Sequence, residues 1–156
     1  MPHRLVRPII ALLAVWSGLA MPAHAQTWQS APPVVAQLGI VAITCKGEFC
    51  LGLSCRAGRA ELVSIAPGGG PFVGSARISV AGMDASVQFV EDPAIMDALN
   101  MLGTRGAAPA GLLARLAEAR EVSLSGPTFS DRVAATFSLN GYGNLAPAIR
   151  RACPTG

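Results

Sequence analysis

The chain has 156 residues, 51% of them hydrophobic and 13% charged, with twelve Lys/Arg against nine Asp/Glu and a formal net charge of +3. That length suits one domain with a single core. Arg150-Arg151 is the only adjacent basic pair, and no basic stripe interleaves with aromatics, which argues against nucleic acid or an anionic membrane surface as a partner.

Residues 1–25 have the three parts of a secretory signal. Arg4 and Arg7 give the positive start, Ile9 to Ala20 the apolar run, and Ala23-His24-Ala25 the small-x-small cleavage pattern. A retained anchor would need about 20 apolar residues, and Ser17, Gly18 and Pro22 interrupt this one. Cleavage after Ala25 would leave ten basic and nine acidic residues, and it would discard His3 and His24, the chain's two histidines. The exported chain would then have no imidazole. Ser-His and Cys-His nucleophiles and histidine-containing zinc sites are thereby excluded.

Residues 26–38 read as an extended lead-in segment, with Pro32-Pro33 disfavouring helix and Trp28 as an anchor to the core. Residues 39–156 read as one α+β domain. It is antiparallel and β-rich, with about six to seven strands and two or three short helices. Ile40 to Thr44 and Phe49 to Arg56 form a hairpin across the Lys46-Gly47-Glu48 turn, and Ala60 to Ile65 follows Ala57-Gly58-Arg59. Pro67-Gly68-Gly69-Gly70-Pro71 is a structural loop, since it lacks the strand, lysine and hydroxyl context of a phosphate-binding loop. Arg77 to Val80 and Ala85 to Val90 make a second hairpin around Ala81 to Asp84.

The period then changes. Asp92-Pro93 is a helix start, with Ile95, Met96, Leu99 and Leu102 on the buried face and Gly103 as the stop. Helix capping accounts for the adjacent carboxylates Glu91 and Asp92 better than an acid/base pair does. Thr104 to Ala108 reads as a linker and Pro109 to Arg120 as a second helix burying Leu112, Leu113 and Leu116. Glu121 to Ser125 and Val133 to Leu139 are strands. After the Asn140-Gly141-Tyr142-Gly143 turn, a last helix aligns Leu145, Ile149 and Cys153, with Pro147 in its first turn.

Four cysteines allow three pairings. In an oxidising compartment they read as structural disulfides, Cys45–Cys50 closing the first hairpin and Cys55–Cys153 clipping the last helix to a core strand. The chain-entropy model gives the long loop roughly 4–5 kcal/mol and the short one about 2 kcal/mol. Simple alternation sets Cys45 on the face of Val41 and Ile43, but Cys50 opposite Leu51 and Leu53. A bulge resolves this; otherwise Cys45–Cys55 with Cys50–Cys153 is the better choice. A four-thiolate zinc site usually brings pairs two to four residues apart, whereas here a lone Cys153 would complete the set in an oxidising compartment; a redox enzyme typically shows a C-x-x-C, which is absent.

Other chemistry is thin. Lys46 is the only lysine and sits beside Glu48 on a hairpin tip. Glu48, Glu61, Asp84, Asp97, Glu118, Glu121 and Asp131 are glycosidase candidates by residue type alone. The expectation is therefore no catalytic residue, no metal and no cofactor.

The clustered cysteines, the early Trp28 and the ending Phe137-Ser138-Leu139-Asn140-Gly141 before an Ala/Ile helix and Cys153 resemble small exported bacterial proteins of the invasion-associated locus B type. That resemblance implies a β-rich, envelope-located, non-enzymatic interaction role. The leading expectation is an exported (periplasmic or secreted) binding or accessory protein with a protein partner in the envelope. The alternatives are a small periplasmic enzyme, thiol-disulfide or wall-hydrolytic, and an inhibitor of a wall-degrading enzyme that presents the Pro67–Pro71 loop or the Lys46–Glu48 tip.

Overall fold

The computed structural model describes residues 27–67 and 70–156; the expected leader and the middle of the Pro67–Pro71 loop lie outside them. In chain order the elements are β1 (Gln29–Ser30), α1 (Pro33–Ala36), β2 (Ile40–Lys46), β3 (Phe49–Arg56), β4 (Arg59–Ile65), β5 (Gly74–Val80) and β6 (Met83–Glu91). Then follow α2 (Pro93–Leu99), β7 (Gly103–Ala107), α3 (Leu112–Glu118), β8 (Glu121–Pro127), β9 (Arg132–Ser138) and α4 (Tyr142–Ala152). The strands form one antiparallel sheet in the order β1-β2-β3-β4-β7-β6-β5-β8-β9.

The sheet curls into a half-barrel. Lys46 Nζ donates to the Thr136 carbonyl at 3.1 Å and the Trp28 N–H to the Asn140 carbonyl at 2.8 Å, tying its first strands to its last. Inside the curl lies the larger core. It is formed by Leu51, Leu53, Leu62, Ile78, Val87, Val122 and Leu124 of the strands and closed by Leu112 and Leu116 of α3 and Tyr142 and Ile149 of α4. A second apolar layer lies on the outer face of β2 and β4. Ile40, Ile43, Val63 and Ile65 are buried there under Val35 of α1 and Ile95 of α2. Burial on both faces is what the alternation pattern cannot show.

Among the described residues there are therefore nine strands and four helices, where the sequence pattern predicts six to seven and two or three. The additions are β1 and α1 in the expected lead-in, and β7 in the expected linker. Pro33 does not break α1, because it occupies the first turn, where a missing N–H leaves no bond unmade. Trp28 is buried against Tyr142, ring centroids 5.6 Å apart and nearly perpendicular, so it belongs to the core.

β7 escapes prediction because two of its five residues are glycine. A Cβ on Gly103 would run into Ile95, and one on Gly106 would lie 2.5 Å from Val87 Cγ1. Close approach, not flexibility, selects glycine there. The stop of α2 is accordingly Asn100, left-handed at φ 53°, whose N–H caps the Met96 carbonyl at 2.8 Å. Met96 and Leu102 leave the predicted buried face and are 38% and 39% exposed.

α4 starts at Tyr142, earlier than predicted, because that ring packs beneath Trp28. Pro147 consequently falls inside the helix and not in its first turn. The carbonyl four residues before it belongs to Gly143, which is exposed, so its lost partner is replaced by solvent.

Cys45 bonds Cys50, and Cys55 bonds Cys153. Cys45 and Cys50 are direct cross-strand partners with Cα atoms 4.0 Å apart, and both pack on the outer layer with Ile43 and Ile65. The apparent face conflict dissolves because Leu51 and Leu53 point into the other core. A register shift does occur in this strand pair, between Ile40 and Ala42, away from the bridge.

Candidate binding pocket

The outer layer is not fully closed. Between α1, α2 and the tip of the β2–β3 hairpin lies a half-open cavity of about 220 Å³. Ile43 of β2 and Ile65 of β4, on the same outer face with β3 between their strands, supply its floor, Val35 one wall, and Leu99 with Met101 the other. The Cys45–Cys50 bridge and Gly47 form the end nearest the hairpin tip, and Pro32 and Pro67 border it. The two loops singled out as protruding thus both border one cavity. None of its lining side chains carries a charge or titrates, the two sulfurs being bonded to each other.

Beside it lies the one buried cation of the described residues. Arg105 of β7 stands opposite Val63 on the outer face and is only 5% exposed. Its guanidinium donates to the Ser54 hydroxyl at 2.7 Å, to the Leu38 carbonyl at 2.6 Å and, from Nε, to the Asp92 carboxylate. Glu61 is a further partner at 3.5 Å and itself pairs with Arg56 at 2.9 Å. Leu38 follows α1 and Asp92 caps α2, accepting from the Ala94 N–H at 3.0 Å. One arginine therefore fastens both pocket helices to the sheet.

Burial alone would raise the Asp92 carboxyl. The Arg105 hydrogen bond, the Ala94 N–H and the nearby charges of Arg105 and Arg56 outweigh it and hold the group below the ordinary carboxylate range. Sequence reasoning missed Arg105 because it stands between Thr104 and Gly106 in a stretch with the composition of a linker. The signal was there only in part: a lone arginine between two small residues, after a helix cap already in need of a cation.

The other candidates are dispersed. Asp84 pairs with Arg77 and accepts from Ser79 at 2.7 Å on the opposite half of the sheet, and the Arg77 and Ser79 hydrogen bonds pull its carboxyl down to about 2. Glu118 pairs with Arg115 on the surface of α3. Asp131 accepts from the Arg132 N–H at 2.7 Å in the β8–β9 turn, and Glu48, Glu91, Asp97 and Glu121 are exposed. Glu91 does not join Asp92 as an acid/base pair. Lys46 is engaged with Thr136, not with Glu48. The deepest ionisable group, the Tyr142 phenol, is pushed up by burial to about 12, so it remains a neutral core group.

Among the described residues no group of three or more His, Cys, Asp or Glu is placed to hold a metal ion, and no helix is long and apolar enough to cross a membrane. Comparison with protein-family models, curated proteins and solved structures finds no match for this chain.

Proposed function

We propose that this protein is an exported, non-enzymatic binding or accessory domain of the bacterial envelope, released after Ala25, and that it meets its partner through the apolar pocket on the outer layer. The observation that carries the reading is the pocket itself. It is a concave site with an apolar lining, a disulfide for one wall and no proton donor or acceptor among its side chains, which suits retention of an apolar group and not bond cleavage. Two disulfides in one small domain favour an oxidising compartment, and the resemblance to exported proteins of the invasion-associated locus B type supports the same placement.

The test uses the exported chain purified with both bridges intact. Capture of an envelope partner is expected to be lost when Leu99→Trp fills the cavity, and no turnover of ester, peptide or glycan substrates is expected from either form. Turnover by either form would refute the reading.

One observation favours a second reading. Both cysteines of the short bridge are half-buried at the cavity end, whereas in the long bridge Cys55 is half-buried but Cys153 is 2% exposed, so the short bridge is the more open to attack by a partner dithiol. In that exchange the dithiol is oxidised to its disulfide as Cys45–Cys50 is reduced to two thiols. Titration against glutathione separates the readings: exchange at a potential near the compartment's own supports the enzyme, and resistance below about −300 mV supports the staple.

A further inference from the structure

We infer that the pocket receives a single aromatic ring, carried as a side chain on an exposed apolar segment of a partner protein. The inference rests on the binding reading above and names what the site takes.

Size sets the first limit. A dry aliphatic cavity of roughly 150 Å³ holds benzene, and drug-sized sites span about 300–1,000 Å³. At about 220 Å³ this one admits a phenyl, phenol or indole ring and little more. Lining chemistry sets the second. A sugar, phosphate or charged end group would lose its hydration here and find no side-chain partner. Of apolar groups, an aromatic ring gains most from these walls. The Cys45–Cys50 sulfurs and the Met101 thioether are polarizable and pack favourably against ring edges, while the Ile43 and Ile65 floor meets the ring face.

The surroundings point to a chain segment, not a free molecule. Val34 on α1, Met96 on α2 and Leu102 beyond it are 38%, 38% and 39% exposed. Val34 precedes the lining residue Val35, Leu102 follows Met101, and Met96 stands three residues, about one helical turn, before Leu99 on α2. A free ring entering the cavity would leave these three in water; a segment lying across α1 and α2 would cover them. Phe129, 43% exposed and the one exposed aromatic among the described residues, makes a second copy of this chain the rival occupant.

The experiment follows the methyl signals of Met96 and Met101 in the oxidised, exported chain. It uses three probes: a capped apolar five-residue peptide with a central Trp, the same capped peptide with Leu there, and free indole. The expected result is a saturable upfield ring-current shift at Met101, with the Trp peptide binding about tenfold tighter than either the Leu peptide or indole. Leu99→Trp is expected to abolish the shift. Met96→Asp, an exposed change that leaves the fold intact, is expected to weaken the peptide and not indole.

Equal affinity for the Leu peptide would overturn the aromatic assignment while leaving the binding reading standing. Indole binding as tightly as the Trp peptide would overturn the docked segment. Self-association that Phe129→Ala abolishes would transfer the site to a second copy. No response to any probe, with native Met signals, would end the inference and the binding reading together.

Discussion

The two halves of the curved sheet share an interior and differ in what stands on the outside. On the outer face of β2, β3, β4 and β7 are Ile43, Val63, Ile65 and Arg105, roofed by α1 and α2. On the outer face of β5, β6, β8 and β9 are Ser75, Arg77, Ser79, Asp84, Ser86, Ser123, Ser125 and Thr136, exposed or half-exposed. Each half holds an Arg–Asp pair, Arg105–Asp92 beneath the helices and Arg77–Asp84 in solvent. The same two side chains thus act as an internal fastener in one half and a surface decoration in the other. Burial, not residue type, decides which.

The largest expected effect tests the bridges that serve the two layers. Replacing Cys55 and Cys153 together by Ala is expected to lower stability by roughly 4–5 kcal/mol, against about 2 kcal/mol for Cys45 and Cys50, read as urea midpoints. If the short bridge costs as much as the long one, the outer layer carries more of the fold than its size suggests.

Next comes the paired arginine comparison. Arg105→Met leaves Asp92 and Glu61 without their buried cation and is expected to cost about 3–5 kcal/mol, with earlier hydrogen exchange in α1 and α2. Arg77→Met is expected to leave the urea midpoint within error, its small effect vanishing in high salt. Similar losses from both would erase the contrast between the halves.

Acid sharpens it further. The Asp92 carboxyl is depressed in the folded state, so its contribution is complete above the unfolded value near 3.9 and is lost as pH falls through the lower folded value. The wild type is expected to weaken progressively below about pH 4, and Asp92→Asn is expected to flatten that part of the profile. Unfolding measured across pH 2–6 in high salt checks it, because salt silences the exposed Asp84 before the half-buried Asp92.

The smallest effect lies in the turns. Ala57 and Ala81 sit at φ 50° and 44°, where a Cβ is strained, in two-residue turns that join β3 to β4 and β5 to β6. Ala57→Asn and Ala81→Asn are each expected to add about 0.5–1 kcal/mol, one in each half, seen as a rise in thermal midpoint.

Legibility in the sequence divides along the same line. Where the outer face is wet, as in Arg77 to Val80 and Ala85 to Val90, alternation fixes strand and face at once. Where it is roofed, apolar residues run on both sides of Ile40 to Thr44, and the pattern cannot say that two cores exist. That ambiguity produced the false conflict over Cys45 and Cys50. The Asp92-Pro93 start was legible because capping is local chemistry; the partner it needs, Arg105, lies 13 residues on in a strand whose glycines answer to Ile95 and Val87. The pocket was invisible for the same reason. Its walls come from five separate stretches, and only its two bordering loops carried any signal.

The bridge between Cys55 and Cys153 spans 98 positions, so the thiol that completes it is made long after the other three. Until then Cys55 waits beside Cys45 and Cys50 with every opportunity to pair wrongly, and the brief two-residue reversal that brings those two together first is the simplest safeguard. The order in which sulfurs meet would then be written into hairpin length, with Cys153 as the final stitch.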